Sequence, residues 1–214
     1  GPAGIAHLLS PLAERVMGLD RNTVFLEHAR RDAPPNVEFI EGDAYRTGLP
    51  DASFHLTHMR FLASTAGRPE QLLAEAIRVT RPGGVVALQE PDGQSLNCYP
   101  PHASWDRLKG ALLGAFVGAG ADLTLAHRLY ALVHDAGLED VEYRTFLVAV
   151  RSVDPMVDYL PSTVESLRGT VLRLGLLGED EFDTVLADCR AHLLRPGTSF
   201  TMYTVAQVWG RKRL

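Results

Sequence analysis

Three places in this 214-residue sequence combine residue types suited to holding a nucleoside. Gly1-Pro2-Ala3-Gly4 stands directly before an apolar helical pattern. Glycines there let the backbone approach a ligand closely, and the helix start offers free N–H groups and the positive end of a dipole. A plain turn reads equally well. Asp20 ends an apolar run one helix further on, where a carboxylate can accept both hydroxyls of a ribose or cap the next helix. Asp43 follows the next apolar run in Gly42-Asp43-Ala44, where it can accept an adenine amino group or close a turn. Three such features at the tips of successive strands point to the edge where open α/β sheets bind ligands.

The elements that must position these residues follow from periodicity. Ile5, Leu8, Leu9 and Leu12 have the spacing of one buried helix face. Strands are expected at 15–20, 37–40, 54–59 and 85–89, with helices at 23–31 and around Leu72, Leu73, Ala76 and Ile77. Arg81-Pro82-Gly83-Gly84 reads as a turn between helix and strand. This alternation predicts βαβ units and a mainly parallel sheet covered on both faces. Further on, helices are expected around Trp105–Phe116 and Leu125–Ala136, then one long strand over 141–150. Ser162 and Glu165 suggest a capping box, Phe182–Leu193 a helix, and Phe200–Trp209 a final strand. A helical insertion of about 152–195 thus separates the last two strands. The expected division is one domain over 1–214, with a cofactor-binding half (1–93) and a substrate-side half (94–214).

Composition narrows the class. The apolar content of 46% fills one core, and the formal net charge of -5 argues against a surface built to neutralise nucleic-acid phosphates. Cys98 and Cys189 form no metal-ligand spacing and no disulfide framework, which suits a reducing cytoplasm. No apolar run approaches the roughly 20 residues of a membrane span.

The strings GPAGIAHLL, VMGLDRN, VEFIEGDAYRTGLPDASFHLTHMRFLA and LLAEAIRVTRPGGVVALQEPD occur in this order. Together they resemble the class I S-adenosylmethionine-dependent methyltransferases of the ubiquinone/menaquinone-biosynthesis type (methyltransferase type 11/25), with ordered motifs over residues 1–93. The resemblance implies a Rossmann-like α/β fold, a mostly parallel seven-stranded sheet with helices on both faces, and a helical lid insertion. The family's glycine-rich motif begins with a strand and an acidic residue absent here, so the resemblance places that first strand upstream of residue 1, in roughly 30–60 further residues. It implies S-adenosylmethionine as cofactor and S-adenosylhomocysteine as product. Gly1, Gly4, Asp20, Arg21, Asp43, Ala44 and Met59 become its binding residues, and Arg60 faces the acceptor.

Methyl transfer from a sulfonium is an in-line displacement that needs alignment and exclusion of water, and no metal. His58 and His102 are the candidate bases for a hydroxyl acceptor, each equally readable as a local hydrogen-bonding residue. Glu90 and Asp92 are further carboxylates at the same edge. Tyr99, Trp105, Tyr159 and Met156 are candidates for an acceptor pocket under a lid. The expected function is methylation of a small molecule, a bacterial metabolite or natural-product intermediate, at O, N or C. The expected partners are a small molecule, no nucleic acid and no membrane, with the protein a monomer or homodimer. A peptide or protein methyltransferase, and a related fold that binds the cofactor without methylating, stay open. A nicotinamide dehydrogenase fits less well, because Gly42-Asp43-Ala44 is not expected there and no Tyr-x-x-x-Lys pair occurs.

Overall fold

A computed structural model describes residues 4–214. The first half follows the alternation of its sequence: α1 (Gly4–Leu9), β1 (Val16–Asp20), α2 (Thr23–Arg31), β2 (Val37–Glu41), β3 (Phe54–Arg60), α3 (Ala63–Ala66), α4 (Pro69–Val79) and β4 (Thr80–Asp92). The second half comprises β5 (Asn97–Tyr99), α5 (Ala103–Gly118), α6 (Leu129–Asp135), β6 (Glu139–Phe146), β7 (Ala149–Arg151), α7 (Tyr159–Ser166), α8 (Arg168–Arg173), α9 (Glu179–Leu193), β8 (Ser199–Thr201) and β9 (Thr204–Arg211).

The strands form an α/β arrangement of three sheets, not the seven-stranded, mostly parallel sheet expected. β1 pairs with β2 in parallel, four strands run in the order β3-β4-β9-β6, and three short ones in the order β5-β8-β7. Among the described residues only the β1–β2 and β3–β4 pairs are parallel; β9 lies antiparallel between β4 and β6, and β8 antiparallel between β5 and β7. Both late strands expected as single elements are broken for one reason. The chain leaves the four-stranded sheet after Phe146 and resumes in the small one at Ala149, then returns between Thr201 and Thr204. Val150 and Cys98 both face Phe200 across the small sheet.

Each sheet has its own apolar packing. Val86, Leu88, Ala206 and Val208 meet Leu72, Leu73, Leu129 and Val133 from α4 and α6. A second core joins the small sheet to α5, α7, α8 and α9 through Trp105, Leu108, Leu160, Val164, Val171, Phe182 and Cys189. The helical insertion therefore has an interior of its own. Around β1 and β2 the core shrinks to Leu26, Ala29 and Phe39. The α1 face is not buried as its spacing suggested: Leu8 is 69% exposed and Leu12 81%.

Two local expectations are also corrected. Ser162 lies inside α7, where its hydroxyl donates to Asp158, so no Ser162/Glu165 capping box starts that helix. Arg81–Gly84 belongs to β4, not to a separate turn: the β3 register jumps there from Thr80 to Val85, and Gly83 absorbs the irregularity at φ +73°.

The insertion also carries a pH-sensitive contact. His192 is 3% exposed and its Nε2 donates to the Pro100 carbonyl at 2.9 Å. Its Nδ1 has no partner among the described residues, and the ring stacks on His102 at 4.3 Å. Burial holds the His192 pKa below its ordinary 6.5, against the Pro100 bond and helped by the charges of His102 and Arg195. Below that value the unfolded chain takes up protons that the folded chain resists, so stability present at neutral pH is lost as pH falls through the depressed pKa. Urea midpoints are expected to drop between pH 7 and 5. His192→Gln keeps a donor for Pro100 without titrating, and should reduce the slope; an unchanged slope would remove His192 from this role.

Candidate active site

β1 and β3 approach one another across a cavity of about 650 Å³. Gly18, Leu19 and Asp20 line it from β1, His58 and Arg60 from β3, and Gly4, Ile5, Ala6, Leu8 and Leu9 from the α1 side. The lining divides by chemistry: apolar between the strands, and polar at their C-terminal tips. His58 and Arg60 are two residues apart and share one face of β3 by strand alternation, while Met59 between them turns into the core at 7% exposure. Met59 is thus not a wall of this cavity.

Asp20 stands at the last position of β1, paired in register with Glu41. The helix that follows is capped by another residue. Asn22 Oδ1 accepts from the backbone N–H groups of Val24 and Phe25 at 3.0 and 3.2 Å, whereas Asp20 Oδ1 accepts from the Asn22 N–H at 2.9 Å. The N-cap alternative for Asp20 therefore falls away. Gly18 is required by packing, since a Cβ there would lie 2.6 Å from the Phe39 ring.

Asp43 lies beyond the tip of the neighbouring strand β2, on the same edge of the parallel pair as Asp20. Its Oδ1 accepts from the Tyr45 N–H at 2.9 Å, closing a turn that the Arg46 N–H completes on the Asp43 carbonyl. It is exposed and outside the cavity lining. Arg21 is exposed and Ala44 packs against the central core. Gly4 has open space around it, and Gly1 lies outside the described residues.

The two candidate histidines are not brought together. His58 is half-buried; burial lowers its pKa, the Arg60 charge lowers it further, and a hydrogen bond with Gln89 opposes both. It is consequently neutral at pH 7. His102 instead sits at the N-terminus of α5, half-buried, 2.6 Å from Ser104 Oγ and stacked on His192 of the insertion. Trp105, at 2% exposure, packs on Phe200 and is core; Tyr99 is 68% exposed on β5. Tyr159 is half-buried, with its hydroxyl 3.2 Å from that of Tyr203.

Glu90 and Asp92 both hold backbone. Val86, Leu88 and Glu90 alternate onto the covered face of β4, and Glu90 is fully buried. Its carboxylate accepts from the N–H groups of Leu62, Ala63 and Ser64 at 2.9–3.2 Å and from the Ser64 hydroxyl at 2.6 Å. It thereby fastens the chain just past the tip of β3, so it positions Arg60 and Phe61 without lining the cavity. The strict alternation of 86, 88 and 90 was the signal for it. Asp92 accepts from the Gln94 N–H and pairs with His127 at 3.1 Å.

A parallel strand pair whose carboxylate-bearing tip opens onto a cavity is the arrangement by which open α/β sheets hold nucleotide cofactors. Comparison with known proteins makes this specific. Residues 1–88 match the methyltransferase-domain family model, which supports a class I S-adenosylmethionine-dependent methyltransferase. It is 30% identical over 177 residues to trans-aconitate 2-methyltransferase of Azoarcus sp. (strain BH72), covering 81% of this chain and 66% of that one. Across three curated relatives the chain spans 28% to 66% of their length. Its fold resembles that of a Bacillus halodurans C-125 protein assigned to the methyltransferases, with a TM-score of 0.64, 17% identity and coverage of 100% and 90%. It also resembles phosphoethanolamine N-methyltransferase 2 of Haemonchus contortus, in complex with phosphomonomethylethanolamine and S-adenosylhomocysteine, with a TM-score of 0.59, 15% identity and coverage of 100% and 47%. Among the described residues, no helix is long and apolar enough to cross a membrane.

Proposed function

We propose that the protein transfers the methyl group of S-adenosylmethionine to a small molecule by in-line displacement. The observation that carries this reading is the shared cavity of Asp20, His58 and Arg60 at adjoining strand tips in a chain whose residues 1–88 match the methyltransferase-domain family model. The residues present suit an adenosyl group. Asp20 offers a carboxylate for ribose hydroxyls and Gly4 an unobstructed backbone; Asp43 stands one strand away for the adenine amino group. When bound, the cofactor supplies an electrophilic methyl on a sulfonium. The chain's own contribution is to bind, orient and exclude water, worth several kcal/mol of barrier. His58, neutral and on the cavity face of β3, is placed to accept a proton from a hydroxyl acceptor.

The facing sides of β1 and β3 support a finer reading of the fold. Among the described residues β1 pairs only with β2, and β3 only with β4. The apolar part of the cavity lies between them, and the core beside β1 is small. We infer that a further parallel strand, preceding residue 1, occupies this gap and joins the two sheets into one, with the polar strand tips left for the cofactor.

The test is turnover of S-adenosylmethionine carrying a labelled methyl group against a panel of metabolites and short peptides. Label in a small-molecule product supports the reading. Label only in peptides would replace it with a peptide methyltransferase, and cofactor binding with no transfer to any acceptor would favour a non-methylating role.

A further inference from the structure

The tip of β3 carries more than the cavity. The Arg60 guanidinium lies 4.4 Å from the centre of the Phe61 ring, and no ion pair joins it to a carboxylate among the described residues. Phe61 meets Tyr203 edge to face at 5.5 Å and 83°, and Tyr203 meets Tyr159 at 6.0 Å and 65°. The Tyr159 hydroxyl donates to Tyr203 at 3.2 Å, which leaves the Tyr203 proton available to another acceptor. Phe61 holds φ +54°, a costly conformation for a bulky residue, with its N–H on the Gln89 carbonyl at 2.8 Å. A fixed row of rings thus runs from a cavity-lining cation to the first turn of α7 in the helical insertion.

Each part favours the same kind of ligand. A guanidinium without a protein carboxylate can take one from a ligand through two parallel hydrogen bonds. The ring beneath it holds the fork in place by cation–π contact. Aromatic edges and faces favour a flat, conjugated partner over a saturated one. We propose that Arg60, Phe61, Tyr203 and Tyr159 form the acceptor subsite, and that it selects planar small molecules bearing a carboxylate. Arg60 pairs with the carboxylate, Phe61 and Tyr203 wall the flat part, and Tyr159 orients the Tyr203 hydroxyl from the insertion. This inference rests on the methyltransferase reading for what the subsite is for, but its ligand preference can be measured without turnover.

The experiment titrates the protein with benzoate, benzamide and cyclohexanecarboxylate by ligand-observed NMR, with and without S-adenosylhomocysteine. Benzoate is expected to bind at least tenfold tighter than benzamide and several-fold tighter than cyclohexanecarboxylate. Arg60→Gln should reduce benzoate to the benzamide level, and Arg60→Lys should restore part of the difference. The comparison of probes on the unaltered protein stands even if a variant misfolds. Equal binding of benzoate and benzamide, in both series, would overturn the subsite. A protein that prefers benzoate but shows no affinity for S-adenosylhomocysteine would keep the subsite and refute the methyltransferase reading instead.

Discussion

Replacing Glu90 by alanine is expected to destabilise the fold by about 2–4 kcal/mol, seen as a fall in melting temperature of roughly 5–15 °C. The size follows from what is stranded. Three backbone N–H groups and the Ser64 hydroxyl converge on one fully buried carboxylate. Removing it leaves buried donors unsatisfied beside a new void. Glu90→Gln is the sharper variant, because one side-chain oxygen becomes an NH₂ that faces Ser64 donors. It should fall between wild type and alanine. Burial raises the Glu90 pKa while these four bonds hold it down; the charge-free glutamine therefore separates loss of hydrogen bonds from loss of volume. Scanning calorimetry measures all three proteins, and a glutamine variant as stable as wild type would show that the four donors do not depend on a carboxylate.

The second large effect concerns binding. Asp20→Ala should weaken S-adenosylhomocysteine by about 1–3 kcal/mol, roughly 5- to 150-fold in Kd, the cost of a lost charged hydrogen-bond partner. Asn22 caps α2 by itself, so the substitution leaves the cap of that helix in place. Asp43 needs a different variant, since its Oδ1 also closes the turn to Tyr45. Asp43→Asn keeps an oxygen for that turn and loses the second acceptor. A fall in affinity there would assign Asp43 to the ligand, and wild-type affinity would leave it a turn residue.

Much of the first half was legible because each buried strand is a short apolar run followed directly by a helix signal. β1, α2, β2, β3 and α4 fall close to their expected positions. What was not legible is which sheet a strand joins. Residues 141–150 and 200–209 keep their β-forming residues throughout, and nothing in a periodicity of two marks Leu147–Val148 or Met202–Tyr203 as crossings between sheets. The four-residue α3 and the three-residue β5, β7 and β8 are too short to carry a period.

The site divides along the same line. Asp20, His58 and Arg60 could be read from their places at strand ends. Phe61 stood next to a candidate, but its partners Tyr203 and Tyr159 come from a sheet crossing and an inserted helix, contacts that no local spacing encodes. Trp105 and Met59 had the chemistry of pocket residues, yet sit at positions that the helix face and the strand alternation turn inward. The insertion was visible as a helical interval; its separate core, built with the small sheet, was not.

The central claim is that the strand-tip cavity holds an adenosyl cofactor of the methyltransferase kind. Isothermal titration of the protein with S-adenosylhomocysteine, run beside an identical titration with NAD, addresses it most directly. The account predicts saturable one-site binding of S-adenosylhomocysteine and none of NAD; the absence of the first, or the appearance of the second in its place, would contradict it.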